Sequence, residues 1–179
     1  MRAPTGSLAF VAILAALPAS SATAQTIEPE YLEEMEVLAA EQAVLNALSR
    51  VEDLDPWGMD LLVELTEIPA PPFMEEVRAA RFAELLREGG TDSVWIDAEG
   101  NVLGLRRGRR GERTVAFGTH LNTVFPEGTD VTVRMRGDTL YAPGVGDDTR
   151  GLIVVLTVLK AMDALLGPGF HPSRTCLAL

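Results

Sequence analysis

Apolar positions along the chain follow two periods in separate stretches. Met35, Leu38, Leu45 and Leu48 recur near helical spacing, and Glu28, Glu30, Glu33 and Glu34 sit in and before the first turn, where aligned backbone dipoles favour negative charge. This predicts one helix from Tyr31 to about Val51 with a solvated acidic face. A second helix, Trp57 to about Glu67, should stop at Ile68-Pro69, because a residue before proline is pushed out of helical geometry. Three prolines in the four residues Pro69 to Pro72 then hold the backbone extended. A third helix starts near Met74, with Ala79, Phe82, Ala83 and Leu86 on one face and Gly89-Gly90 as its stop.

The period then shortens to two. Val94 and Ile96 alternate with Trp95 and Asp97, the turn Glu99-Gly100-Asn101 follows, and Val102, Leu103 and Leu105 come back, which predicts a hairpin. Thr114 to Phe117 is a short apolar strand. Val131, Val133 and Met135 alternate with polar residues up to Gly137-Asp138, a favoured hairpin turn, before Thr139-Leu140-Tyr141. That turn accounts for the tripeptide Arg136-Gly137-Asp138 without an adhesion role. From about Thr149 to Leu166 the apolar run is too long for a strand, so a buried helix is expected, stopped by Gly167-Pro168-Gly169. Arg174 to Leu179 begins another strand. The order of elements predicts an α/β fold, a mixed sheet flanked by helices.

Composition narrows the function classes. The chain has 179 residues, enough for one domain with a sizeable core, and 47% are hydrophobic, as in globular proteins. A net charge of −11 argues against a nucleic-acid partner, since phosphate contacts need clustered cations. The basic run Arg106-Arg107-Gly108-Arg109-Arg110-Gly111 lacks aromatic partners and reads as a solvated loop. Arg2 is the only charge before Gln25, Leu8 to Leu17 is apolar, and Ala22-Thr23-Ala24 offers small residues, the pattern of a signal peptide cleaved after Ala24. Its apolar core is too short for a comfortable membrane span, so an exported chain, periplasmic or secreted and without a stable span after processing, is expected. Loss of Arg2 moves the net charge from −11 to −12. The lone Cys176 has no internal disulfide partner and reads as a small buried hydrophobe.

Candidate chemistry sits in two stretches. Gly118-Thr119-His120-Leu121-Asn122-Thr123-Val124 follows the strand ending at Phe117, and Gly144-Val145-Gly146-Asp147-Asp148-Thr149-Arg150-Gly151 precedes the last helix. A histidine at a strand end is a common way to present a metal ligand, yet an isolated histidine is usually structural and an isolated aspartate before a helix is usually a cap. His171, the other histidine, reads as a surface-loop residue.

Together, these two motifs in this order, with Glu67-Ile68-Pro69-Ala70-Pro71-Pro72 ahead of the long helix, resemble the M20 family of zinc metallopeptidases, over about Trp57 to Leu166. The resemblance implies that His120 binds one zinc, that Asp147 bridges two, and that the Asp147-Asp148 peptide bond is cis. It implies hydrolysis of a peptide or of an N-acyl amino acid. The related M28 aminopeptidases also use a histidine and an Asp-Asp turn; the proline-rich segment and the spacing from His120 to Asp147 favour M20.

The chain departs from the family pattern in two places. Asn122 stands where the family has an aspartate that orients the histidine from behind; a neutral amide orients the ring without supplying charge. The family's general-base glutamate and its remaining ligands follow the strand beginning near Arg174. The expected organisation is therefore a signal peptide at 1–24, an N-terminal helical segment at 25–54, and at 55–179 the first part of a catalytic domain, without the family's lid domain. Such a chain should be inactive alone, and its sheet should end on an unpaired strand. The alternative is a non-catalytic remnant or pseudoenzyme that acts at most as a binding module.

Overall fold

The computed structural model describes residues 28–107, 114–166 and 175–178. The expected leader, the loop at 108–113 and His171 lie outside the described residues, as does the side chain of Cys176. Four helices come first: α1 (Pro29–Ala40), α2 (Gln42–Asp53), α3 (Asp55–Thr66) and α4 (Glu76–Glu88). Strands β1 (Ser93–Ile96), β2 (Val102–Arg106), β3 (Val115–Phe117), β4 (Arg134–Arg136) and β5 (Thr139–Tyr141) follow, then α5 (Arg150–Leu166) and β6 (Thr175–Ala178). The fold is α/β, with a mixed four-stranded sheet ordered β1-β2-β6-β3 and a separate β4-β5 hairpin.

One expected helix is two. Glu41 is extended, with φ −62° and ψ 129°, and breaks the stretch between α1 and α2. The stripe Met35, Leu38, Leu45, Leu48 stays exposed, and α1 buries nothing. No packing carries a continuous helix through Glu41, so α2 turns away to lie on α5. The other helices start and stop within about two residues of the positions that proline and glycine dictate.

The last strand also differs from expectation. It lies inside the sheet, antiparallel to β2 and parallel to β3, with Ala116 opposite Cys176. A helical crossover through α5 returns the chain beside β3, as parallel pairing requires. Among the described residues the edges are β1 and β3, and the end of β3 leads straight to His120. Arg106 is not a loop residue: it closes β2, is buried, and its guanidinium donates to the carbonyl of Leu159 on α5 at 3.0 Å.

The core joins Leu61 and Leu65 of α3, Phe82 and Leu86 of α4, Val102 of β2, and Leu152 and Leu156 of α5. Within it sits a charged side chain that helical periodicity did not single out. Arg78 is wholly buried, and its guanidinium donates to the carbonyls of Ile68 (3.1 and 2.5 Å), Leu121 (2.9 Å) and Thr66 (3.5 Å). Burial pushes its pKa down to about 10, partly opposed by Glu75. The end of α3, the proline segment and the loop after His120 are thereby gathered onto one cation. Thr123 adds a second tie, its backbone N–H donating to the carbonyl of Ala70 at 2.8 Å.

Arg78→Met is expected to destabilise the chain by about 3 kcal/mol or more in urea denaturation, because each buried carbonyl left unpaired costs about 1–3 kcal/mol. Arg78→Lys should recover less than half, since one ammonium cannot span three carbonyls. A loss below about 0.5 kcal/mol for Arg78→Met, the range of an ordinary surface change, would contradict this role.

Candidate metal centre

His120 stands three residues beyond the end of β3, on the loop whose Leu121 carbonyl Arg78 holds. Its Nδ1 lies 2.9 Å from the backbone carbonyl of Asn122 and 3.1 Å from that residue's side-chain oxygen. Both partners are acceptors, so Nδ1 carries a proton and the ring is oriented from two sides. Nε2 then faces Asp147, 3.0 Å from Oδ1. Both side chains are open to solvent, at 49% and 83% exposure, so an ion can approach them. The His120 pKa is raised above its ordinary value. Burial is the largest single influence and acts to lower it, but the Asn122 carbonyl, the hydrogen bond to Asp147 and the nearby Asp148 and Asp147 charges outweigh it.

Asp147 is delivered by a wide helical turn, Val145–Thr149, in which Asp147 and Asp148 depart from helical geometry. The peptide bond between them is cis. The two neighbouring carboxylates have different surroundings. Asp148 accepts from the Thr119 hydroxyl, from the His120 backbone N–H at 3.3 Å and from the Gly151 N–H at 3.1 Å. It therefore joins the end of β3 to the start of α5. Asp147 keeps its carboxylate for the imidazole.

Glycines permit this approach. A Cβ on Gly151 would run into the Asp148 carboxylate, and one on Gly144, at φ +79°, would lie 2.6 Å from Thr123 Cγ2. The second motif thus packs directly on the first, which places the Asn122–His120–Asp147 row at the meeting of two loops.

The donor chemistry suits zinc in part. Bonds of about 2.0–2.2 Å in a tetrahedral site leave ligand atoms roughly 3.3–3.6 Å apart, a little wider than the 3.0 Å between Nε2 and Oδ1 here. Imidazole and carboxylate are ordinary zinc donors. Among the described residues no group of three or more His, Cys, Asp and Glu side chains is assembled. The pair fits two positions of a four-donor site.

Beside this row is a cavity of about 410 Å³ with Phe73, Glu75, Glu99, His120 and Asn122 in its walls. Another, of about 320 Å³ between α2, α3 and α5, contains none of these residues. The structure therefore brings His120, Asn122 and Asp147 together. Sequence reasoning passed over Asp148, Thr119 and Arg78. The first had a visible signal, since an aspartate just ahead of a helix commonly caps it by accepting from a backbone N–H of the first turn, as Asp148 does from Gly151; the other two make contacts only the tertiary fold supplies.

Several solved peptidases share this fold. A dipeptidase, Dug1p, from Saccharomyces cerevisiae superposes with a TM-score of 0.61 over 75% of this chain and 33% of its own, at 15% identity. Aminopeptidase PepT from Bacillus cereus does so with a TM-score of 0.57 over 68% of this chain and 35% of its own, at 16% identity. In sequence, carboxypeptidase G2 of Pseudomonas sp. (strain RS-16) is 34% identical over 64 residues, which is 35% of this chain and 15% of that protein. The chain thus spans about a third of those two structures and less of that enzyme. No protein-family model matches it. Among the described residues no helix is long and apolar enough to cross a membrane.

Gly144→Ala should destabilise by about 2–4 kcal/mol, from left-handed backbone strain and the collision with Thr123. Thr123→Ser removes the struck methyl and keeps the hydroxyl, so in the Gly144→Ala background it should restore about 1 kcal/mol. Strict additivity in that double-mutant cycle would mean that the two loops do not press on each other.

Proposed function

We propose that this chain carries part of the active site of a zinc-dependent hydrolase of the M20 type, acting on a peptide or an N-acyl amino acid. His120 and Asp147 would hold zinc, and Asn122 would orient the ring. The carrying observation is the 3.0 Å approach of Nε2 to Oδ1, with Nδ1 already engaged by Asn122. Zinc, when bound, supplies Lewis-acid polarisation of a scissile carbonyl and of water. The chain's own part is preparatory. Asn122 accepts a hydrogen bond from Nδ1–H, which leaves Nε2 as the ring nitrogen that faces the Asp147 carboxylate. Nε2 would donate to a metal once its own proton is lost, and Asp148 pins the backbone there. The described residues supply two donors of such a site, and this pair alone is assigned weak metal binding and no turnover. Export after cleavage at Ala24 belongs to the same reading, and an intact Met1 in the mass spectrum of the mature protein would refute that part.

A second reading, a non-catalytic binding module, draws on Asn122. A neutral amide behind a metal-bound histidine gives up the charge an aspartate adds, and such changes alter affinity or activity by about 10–100-fold.

Calorimetric titration of zinc into the full chain should show binding that both His120→Ala and Asp147→Ala abolish. Asn122→Asp should tighten it by about 10–100-fold. Identical isotherms for wild type and His120→Ala would sink the proposal. Tight binding of two zinc ions by the wild-type chain would instead overturn the assignment of an incomplete site.

A further inference from the structure

Phe73 is the most exposed large apolar side chain among the described residues, at 93%. It is also the one non-glycine residue there with a positive φ, +66°. The turn holding it is closed by the Met74 N–H on the Pro71 carbonyl at 3.0 Å, and the Phe73 N–H donates to Glu75 Oε1 at 2.9 Å. A turn position with positive φ favours glycine or asparagine, and a bulky ring there is strained. The residue is thus unfavourable twice over, in backbone conformation and in exposed apolar surface, and neither the core nor the turn needs a ring. Backbone outliers of this kind gather where a ligand is gripped.

The position supplies the ligand. Phe73 walls the cavity of about 410 Å³ that also has His120 and Asn122 in its lining, with the Glu99-Gly100-Asn101 turn of the β1-β2 hairpin opposite. Glu75 and Glu99 are the carboxylates of that lining, which His120 completes, so next to Phe73 a ligand bearing a carboxylate is disfavoured and one bearing an ammonium is not.

We propose that this cavity is a side-chain subsite beside the His120–Asp147 pair, and that the Phe73 ring receives an apolar or aromatic residue that carries a free amino group. This rests on the hydrolase reading for its catalytic meaning. The binding itself involves Phe73 and is measured separately.

Heteronuclear NMR titrations of the full chain with L-phenylalaninamide and glycinamide, with and without zinc, test it. The aromatic probe should bind about tenfold or more tightly than glycinamide, the value of burying one ring, and should move the resonances of Phe73, Gly100 and His120. Phe73→Ala should bring the two probes within about threefold while leaving zinc affinity unchanged. Phe73→Gly should erase the same discrimination and raise the thermal midpoint by a few degrees, because it relieves the positive φ. A merely structural ring would not separate stability from binding in this way. Equal affinity of both probes for the wild-type chain, or full discrimination kept by Phe73→Ala, overturns the proposal. If discrimination holds while zinc fails to bind at His120, the subsite stands and the hydrolase reading falls.

Discussion

The arrangement of the site depends on a single buried cation. Arg78 projects from α4 into a space where, among the described residues, no carboxylate comes within ion-pair distance, and it is kept there by the carbonyls of Thr66, Ile68 and Leu121. Carbonyls at the end of a helix and along a proline segment cannot be satisfied by ladder hydrogen bonds, and a planar guanidinium with five donors can serve several of them at once. The desolvation cost falls on the cation and lowers its pKa, while the benefit is geometric. The segment before α4 and the loop after β3, distant in sequence, are set at a fixed separation, and His120 stands next to the carbonyl so held.

A second constraint concerns the two adjacent carboxylates. Asp147 and Asp148 share a turn and similar chemistry, but the surrounding donors give them different tasks. Three donors, the Thr119 hydroxyl and the backbone N–H groups of His120 and Gly151, converge on Asp148. That fixes the start of α5 to the end of β3. Asp147 is the one left to face the imidazole. Gly144 and Gly151 make this possible by the absence of a side chain, since each lies against the other motif or against Asp148 itself. The dyad is therefore a product of backbone proximity more than of the two side chains that compose it.

The fold shared with peptidases from yeast and Bacillus accounts for why these loops meet at this end of the sheet, and 15–16% identity carries no more than that. The proposed chemistry belongs to the row Asn122, His120, Asp147. There the structure is explicit about orientation: the amide holds the ring's Nδ1 side, and Nε2 faces the carboxylate.

Much of this was legible along the chain. Proline and glycine mark where α3 ends and α4 stops, alternation marks the β1-β2 and β4-β5 hairpins, and the pairing of a His motif with a Gly-rich Asp motif singles out His120, Asn122 and Asp147. The elements are local features, dictated by a few neighbouring residues, whereas His120, Asn122 and Asp147 stood out through the resemblance of their two motifs to a family pattern. The break at Glu41 was hidden because the apolar stripe through Leu38 and Leu45 is helical in spacing, yet both side chains stay exposed. The place of β6 inside the sheet, the burial of Arg78 and Arg106, the structural task of Asp148 and the exposure of Phe73 were decided only by tertiary structure. Each depends on which backbone groups arrive from elsewhere in the chain, and side-chain identity alone does not specify its partner.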